Sequence, residues 1–215
     1  MATRFWLIRH ALVTPEAQAI LYGTLDVGLC SDTLAAETHR YEALARRLPR
    51  DAVWLVSPLS RTQITAETII AAGYGEAAPA IEPSLIEQNF GAWQGLPIQD
   101  FSRRPAHLAH PFWPVGAGET PPEGEAFGAM TARVGEALDR LAETYPNRDI
   151  IAVSHGGAIR AAIAYAMGFT AHQALSLSVA NLSLSRIEFH PDIEYADGQQ
   201  EGSWRFVSLN EQLSI

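Results

Sequence analysis

Short apolar runs alternate along the chain with segments whose apolar residues recur at helical spacing. The runs are rich in aromatic and β-branched residues, which is typical of buried strands. We expect strands at residues 5–8, 52–56, 80–82 and 149–153, then two alternating strands at 182–189 and 204–209. We expect helices at 34–48, 60–72, 127–143 and 158–167. Strands that alternate with helices predict an α/β fold, a three-layer α/β/α sandwich with a mostly parallel central sheet.

The segments between these elements differ in character. Residues 86–128 combine many prolines and glycines with large aromatic side chains, among them Trp93, Phe101, Phe112 and Trp113, which favours a packed functional loop over a linker. The acidic stretch 192–201 contains Asp197-Gly198, a turn signal. No segment has the composition of a linker between two cores. We therefore predict one domain over residues 1–215, with 86–128 as a loop or cap insertion over the site.

Composition narrows the function classes. The formal net charge of -9 argues against a nucleic-acid binder, which normally presents a basic face. No apolar run approaches the length of a membrane span, and the apolar stretch at 5–8 is too short for a signal peptide. The lone Cys30 cannot form an internal disulfide and fits a reducing compartment. We expect a cytoplasmic protein that binds neither nucleic acid nor membrane.

Candidate chemistry lies where three of the predicted strands end. Arg9-His10 closes the first strand, Ser57-Pro58 closes the second with Arg61 one turn further on, and Ser154-His155 closes the fourth. Ligands of open α/β sheets bind outside the carboxyl ends of the strands. The sequence therefore predicts two arginines and two histidines at one edge of the sheet.

That set of side chains is suited to a phosphoryl group. Guanidinium forks bind phosphate oxygens in pairs, and a neutral imidazole can form a covalent intermediate. Glu87, among apolar neighbours, is the best-placed carboxylic acid to protonate a leaving alcohol, and Glu125 is the second candidate. Together these residues predict a phosphoryl-transfer site. They do not by themselves decide which histidine attacks the phosphoryl group.

Five blocks in order resemble the histidine phosphatase superfamily, in the branch that includes the cofactor-dependent phosphoglycerate mutases. The blocks are Leu7-Ile8-Arg9-His10 followed by Tyr22-Gly23 and Asp26, Ser57-Pro58-Leu59-Ser60-Arg61 with Thr65-Ala66, Glu87 with Phe90-Gly91-Ala92-Trp93-Gln94-Gly95, Pro122-Glu123-Gly124-Glu125 with Arg133, and Ser154-His155-Gly156-Gly157. One block alone is weak evidence, whereas five in the family's order are specific. The resemblance spans most of the chain.

The resemblance implies a role for each matching residue. It makes His10 the phosphorylated nucleophile, Glu87 the proton donor, and Arg9, Arg61 and His155 the groups that bind the phosphoryl moiety. It also implies weaker substrate contacts from Tyr22, Gly23 and Gly156. The implied enzyme is a phosphatase that acts on a small phosphorylated metabolite and needs no cofactor and no metal.

Two positions depart from the family pattern. The family usually has glycine after the nucleophile, where this chain has Ala11. It often has an asparagine six residues after the nucleophile, where this chain has Glu16, whose charge is wrong for phosphate. We expect an altered loop at Ala11 and a Glu16 side chain that points away.

Alternatives remain open at this point. The chain resembles mutases as well as phosphatases, although Gln88-Asn89 replaces the basic and aromatic stretch of the mutases and favours hydrolysis. A phosphoryl-binding module without turnover is a third class.

His107 and His110 lack a third metal ligand, and Arg103 and Arg104 either reach a second acidic group or are solvated. Substrate identity and oligomeric state are not readable from the sequence.

Overall fold

The computed structural model describes residues 1–102, 110–194 and 200–214, and it contains a six-stranded sheet of order β3-β2-β4-β1-β5-β6. The strands are β1 Thr3–Arg9, β2 Val53–Val56, β3 Ala80–Ile81, β4 Asp149–Ser154, β5 Leu184–Glu194 and β6 Gln200–Glu211. The first four run parallel, whereas β5 and β6 are antiparallel to their neighbours. The predicted mostly parallel sheet is confirmed.

Eight α-helices connect and cover the described strands. They are α1 Pro15–Gln18, α2 Ser31–Ala36, α3 Thr38–Arg47, α4 Ser60–Ile69, α5 Ile98–Ser102, α6 Phe127–Thr144, α7 Gly156–Met167 and α8 Ala171–Leu175. Short 3-10 turns at Pro83–Leu85 and Gly91–Trp93 shape the loops after β3. None of the helices in the described ranges is long and apolar enough to cross a membrane.

The period of two along each strand divides the apolar side chains between the two faces of the sheet. In β1, Phe5 and Leu7 pack into a core with α6, α7 and α8, while Trp6 and Ile8 pack into a second core with α3 and α4. Strand β4 repeats the division, with Ile150 and Ala152 on the first side and Ile151 and Val153 on the other. Helices cover both faces, which confirms the three-layer prediction.

Four local predictions need correction. The helix expected over 34–48 is two helices, α2 and α3, because Glu37 leaves helical geometry and its carboxylate pairs with Arg40 at 2.7 Å. The helix expected over 60–72 ends at Ile69 and continues as a π-turn to Tyr74, where Gly73 has φ 112°. Residues 11–33, where the sequence pattern predicts no helix or strand, contain α1, with Pro15 at its first position and a Thr14 cap.

The fourth correction concerns the acidic stretch 192–201. Strand β5 extends to Glu194 and β6 begins at Gln200, so both ends of this stretch are strand. Long antiparallel pairing satisfies the backbone groups there despite the acidic composition. The predicted turn at Asp197-Gly198 lies outside the described residues.

A partly exposed ion pair joins the central strands β1 and β4. Asp149 accepts hydrogen bonds from Arg4 Nε at 2.7 Å, Arg4 Nη2 at 2.8 Å and Trp6 Nε1 at 2.9 Å. The hydrogen bonds from Arg4 lower the pKa of Asp149 against the opposing effect of burial. Arg4 and Asp149 are also paired in the strand register, so these contacts align the ends of β1 and β4.

We predict that Asp149→Asn lowers the free energy of unfolding by about 1 kcal/mol at neutral pH, since the Arg4 side chain is 39% exposed and solvent weakens the pair. The folded-state pKa of Asp149 is depressed, so its contribution is present above about pH 4 and is lost as pH falls further. Urea unfolding from pH 7 to pH 3 should show the difference between wild type and variant shrinking. A difference that grows toward pH 3 contradicts this account.

Candidate active site

The polar ends of three strands meet at the carboxyl edge of the sheet, as the sequence predicts. Arg9 pairs with Ser154 in the β1–β4 register, and His10 N donates to Ser154 O at 2.9 Å. The imidazole rings of His10 and His155 lie edge to face with centroids 5.1 Å apart. Arg61, from the first turn of α4, reaches the same place. The structure thus brings the two histidines and two arginines together.

His10 is held as a neutral imidazole with one free nitrogen. Its Nδ1 lies 2.7 Å from Ala11 O, and because a carbonyl only accepts, Nδ1 carries the proton. Burial lowers the pKa of His10 well below its ordinary value, and the charges of Arg61 and Arg9 lower it further. The Nε2 lone pair is therefore available for attack on phosphorus.

His155 is oriented through both of its ring nitrogens. Arg61 Nε donates to Nδ1 at 3.3 Å, and Nε2 lies 2.6 Å from Ser57 Oγ. Burial, followed by the charge of Arg61, lowers the pKa of His155 well below its ordinary value. Because Nδ1 accepts from Arg61, the proton of the neutral His155 ring lies on Nε2, which donates to Ser57 Oγ.

Arg61 is fully buried and its guanidinium is held by backbone oxygens. Nη1 donates to Leu25 O and Nη2 donates to Gly23 O, each at 2.7 Å. Tyr22 lies under the guanidinium, with its ring centroid 5.1 Å from the central carbon. Burial lowers the pKa of Arg61, although the nearby Glu87 opposes that shift. Carbonyls and an aromatic face position this cation without neutralising it.

Arg9 retains an unused donor. Nη1 donates to Val179 O at 2.6 Å, whereas the buried Nε has no hydrogen-bond partner among the described residues. A buried donor without a partner is costly, because it has lost its hydration. Arg9 and Gly156 both line the cavity beside the histidines, so an anion bound there would satisfy this donor.

Glu87 lies at the same cavity, held between two backbone amides. Gln88 N donates to Oε1 at 2.9 Å and Gly157 N donates to Oε2 at 3.0 Å. The side chain is buried and lines the cavity with Arg9 and Gly156. Each carboxyl oxygen has two acceptor sites, so these bonds leave room for a proton. Glu87 is thus positioned to transfer a proton at the cavity floor.

The other sequence candidate for the acid, Glu125, lies in an ion pair. Arg133 Nη2 donates to Glu125 Oε1 at 2.7 Å, and Asn89 N donates to the same oxygen at 3.1 Å. Arg133 also donates to Ser84 O at 2.7 Å. These contacts join the loop after β3 to the start of α6 and thereby support the segment that carries Glu87.

The loop that carries Tyr22 and Gly23 is tied down on both sides. Gly23 has φ 41°, and a Cβ there would lie 2.6 Å from Gln88 O, so this close approach requires glycine. Asp26 Oδ1 accepts from Ser60 N at 2.9 Å and from Ser60 Oγ at 2.8 Å, which attaches the loop to the start of α4. Tyr22 and Gly23 both line the cavity.

The two departures from the family pattern are accommodated. Ala11 is not among the described non-glycine residues with positive φ, and its N donates to Thr65 Oγ1 at 3.0 Å. Alanine therefore fits this loop without strain. Glu16 is exposed in the first turn of α1, which agrees with the expectation that it points away.

Two positioning residues, Asn181 and Arg160, escaped the sequence analysis, which also placed Ser57 at a strand end without giving it a role. Asn181 Nδ2 donates to His10 O at 2.8 Å, and Ser57 orients His155. Arg160 donates from Nε to Leu177 O at 2.7 Å and stacks on Trp113 at 4.8 Å. Burial and the charge of Arg9 lower the pKa of Arg160 to about 10. Arg160 had a usable signal, because it is a lone charge in the apolar helix α7.

Some sequence candidates fall elsewhere. Arg103, Arg104 and His107 lie outside the described residues. His110 Nε2 is 3.2 Å from His172 O, and its ring packs on that of His172. Among residues 1–102, 110–194 and 200–214, no group of three or more His, Cys, Asp or Glu side chains is arranged to hold a metal ion.

Solved structures share this fold. A mycobacterial glucosyl-3-phosphoglycerate phosphatase superposes with a TM-score of 0.77 at 22% identity, covering 98% of this chain and 99% of its own. The α-ribazole phosphatase of Shigella flexneri gives a TM-score of 0.72 at 24% identity, covering 99% and 98%. The sheet order and the two-sided helical cover therefore define a phosphoglycerate mutase-like α/β fold.

The sequence matches the histidine phosphatase superfamily (branch 1) over residues 5–198, and the chain belongs to that superfamily. A bifunctional protein of Mycobacterium tuberculosis is 32% identical over 192 residues, which cover 88% of this chain and 51% of that protein. The chain thus spans about half the length of this curated relative. A Yersinia pestis protein, named as a probable phosphoglycerate mutase, is 27% identical over 90% of this chain and 88% of its own length.

The lowered pKa of His10 leads to a spectroscopic prediction. Imidazole ¹⁵N shifts should report a neutral ring with the proton on Nδ1 throughout titration from pH 8 to pH 5.5, because burial and two arginines disfavour the cation. A spectrum of His10→Gln identifies the resonance. A midpoint near pH 6.5 for that resonance contradicts the proposed electrostatics.

A second prediction concerns the fit between Glu87 and α7. A Cβ at Gly157 would lie 2.2 Å from Glu87 Oε1, so Gly157→Ala displaces the carboxyl group. We expect phosphatase kcat to fall about 10- to 100-fold for alkyl esters. The loss should be smaller for p-nitrophenyl phosphate, whose leaving group departs without a proton. Gly128→Ala is the matched control, since nothing lies within 4 Å of its Cβ position; equal losses in both variants would refute the role of Glu87.

Proposed function

We propose that this protein hydrolyses a small phosphomonoester through a phosphohistidine intermediate on His10. The observation that carries the proposal is the neutral His10 imidazole, which has its proton on Nδ1 and lies within the electrostatic influence of Arg61 and Arg9. A free imidazole lone pair beside two guanidinium groups is suited to attack on a phosphoryl group and to little else. Membership of the histidine phosphatase superfamily supports this reading.

In the first half-reaction, His10 Nε2 forms a bond to phosphorus as the bond from phosphorus to the ester oxygen breaks. Arg9, Arg61 and His155 stabilise the charge on the three equatorial oxygens. Protonated Glu87 gives its proton to the leaving oxygen and becomes a carboxylate. The alcohol then leaves through the cavity lined by Tyr22, Gly23 and Gly156.

In the second half-reaction, water attacks the phosphoryl group on His10. The Glu87 carboxylate takes a proton from that water, which restores the acid for the next cycle. The phosphorus–nitrogen bond breaks, and inorganic phosphate leaves as the His10 lone pair is regenerated. The second half-reaction therefore restores the proton of Glu87 and the lone pair of His10 that the first half-reaction used.

A mutase would share the first half-reaction and differ in the acceptor. It would return the phosphoryl group to a second hydroxyl of a phosphoglycerate instead of water. The similarity to a Yersinia pestis protein named as a probable phosphoglycerate mutase makes this the second candidate. Release of inorganic phosphate, measured against isomerisation of 3-phosphoglycerate, separates the two.

Three further features belong to the proposal. The reaction needs no metal ion, because guanidinium groups supply the positive charge at the phosphoryl site. Residues 1–215 act as one domain in which 86–128 covers the site, which is supported by Glu87, Phe90, Ile98 and Trp113 at the cavity wall. The protein acts in the cytoplasm on a small phosphorylated metabolite.

We predict that incubation with a phosphomonoester, followed by a rapid quench, yields acid-labile phosphate on His10 by mass spectrometry. His10→Ala should lose both the adduct and turnover, because no other side chain is positioned for attack in the described site. His39→Ala is the matched control, since His39 is exposed on α3 and should change neither. All reactions contain EDTA, so the metal requirement is tested at the same time.

Three results would count against this function. Turnover that survives in His10→Ala excludes the covalent mechanism, and an adduct on another residue relocates it. Activity that EDTA abolishes and added Mg²⁺ restores excludes metal independence. If the protein binds phosphate but releases none from any ester, the non-catalytic phosphoryl-binding module is the alternative that remains.

A further inference from the structure

The cavity beyond the phosphoryl site has a volume of about 140 Å³, and Arg9, Glu87 and Gly156 form part of its lining. Glu87 is the proposed proton donor, so the ester oxygen lies beside it and the rest of the alcohol extends into this cavity. The inference below rests on the proposed function, because it assigns the cavity to the leaving group of that reaction. The chemistry of the cavity walls then determines which alcohols fit.

Three aromatic side chains form one part of the wall, namely Tyr22, Phe90 and Trp113. The Trp113 indole is fixed in place, because its Nε1 donates to Gln88 Oε1 at 3.1 Å and Arg160 stacks on its ring at 4.8 Å. A ring held by its edge and one face presents a preformed apolar surface. Arg160 thereby helps to hold Trp113 in place.

Aliphatic side chains complete the described wall, namely Ile20, Leu21, Ile98 and Pro114. Among the described lining residues, the acidic and basic side chains are Arg9 and Glu87. The proposed reaction already uses Arg9 for the phosphoryl oxygens and Glu87 for the ester oxygen. Arg160 Nη1 lies 3.0 Å from the position of a Cβ on the lining residue Gly156, so one further cation approaches the cavity there. The other described lining residues are aromatic, aliphatic or glycine.

We infer that the leaving group is an uncharged, apolar alcohol whose hydrocarbon part is comparable in size to a benzene ring. An apolar cavity of about 150 Å³ in another protein binds benzene, so the volume here suits one ring or a short alkyl chain. A carboxylate placed against the aliphatic side chains of this wall would lose its hydration. The cavity thus selects against phosphoglycerates and favours aryl-alkyl or alkyl phosphomonoesters.

The test is a series of esters whose leaving alcohols have similar acidity. The full chain is assayed with ethyl, n-butyl, n-hexyl and 2-phenylethyl phosphate, and with 3-phosphoglycerate. We expect kcat/KM to rise about fourfold per added methylene until the cavity is filled, the factor that corresponds to ~0.8 kcal/mol per buried CH₂. 2-Phenylethyl phosphate should exceed ethyl phosphate by at least tenfold and exceed 3-phosphoglycerate by more.

A pair of exposed isoleucines provides the matched variants. Ile98 lines the cavity and is 36% exposed, while Ile64 lies on α4, away from the cavity lining, and is 39% exposed. Ile98→Ser should lower the ratio of kcat/KM for 2-phenylethyl phosphate over ethyl phosphate about threefold or more. Ile64→Ser should leave that ratio unchanged. Equal ratios in Ile98→Ser and wild type would argue against the assignment of this wall.

The failure of this inference is distinguishable from the failure of the proposed function. If His10 is phosphorylated by every ester but kcat/KM is flat along the series, or is highest for 3-phosphoglycerate, the cavity assignment is overturned and the function stands. If no ester is turned over, calorimetry with phosphonates still tests the cavity. Tighter binding of 2-phenylethylphosphonate than of ethylphosphonate supports the assignment, and equal affinity overturns it.

Discussion

The site depends on one constraint: cationic and imidazole side chains are held at one edge of the sheet without a carboxylate partner that would neutralise each cation. Arg61 is fully buried, and its guanidinium is satisfied by Gly23 O, Leu25 O and His155 Nδ1. Because an unsolvated cation is costly, the loop that supplies these oxygens has to approach closely, which only glycine at position 23 allows. Asp26 then attaches that loop to the start of α4, so helix, loop and guanidinium form one unit. The positive potential that remains is available to an anion.

The positive potential of the arginines also sets the protonation state of the two histidines. Burial and the arginine charges lower the pKa of His10 and of His155, so both rings are neutral in the free protein. His10 thereby keeps its lone pair, and the hydrogen bond to Ala11 O directs that lone pair to Nε2. A phosphoryl dianion would satisfy the unpaired Arg9 Nε and offset the crowding of positive charge. The electrostatic field of the arginines therefore acts on both the proposed phosphoryl-binding groups and the proposed nucleophile.

The phosphoryl half of the site and the leaving-group half are built by different parts of the chain. The carboxyl ends of β1 and β4 and the start of α4 carry the proposed phosphoryl half. Residues after β3 carry Glu87, Phe90, Ile98 and Trp113, and they form an apolar wall. The contacts of Glu125 with Arg133 and Asn89 hold this segment in place, so its rigidity comes from an ion pair outside the cavity. The proposed reaction follows from the first half and the proposed selectivity from the second.

The sequence by itself determined the layers and the location of the site. Strand alternation assigned Phe5 and Trp6 to opposite faces, and parallel strands end at one edge, so Arg9, His10 and His155 had to converge. Local periodicity missed the break at Glu37 and the π-turn at Gly73, because a pair with Arg40 and a positive φ decide them. Only the tertiary structure distinguished the surroundings of Glu87 and Glu125, since the two differ in their distant partners, Gly157 N and Arg133. It alone placed Asn181 on His10 and Arg160 on Trp113, because such contacts join residues far apart in sequence and leave no periodic signal.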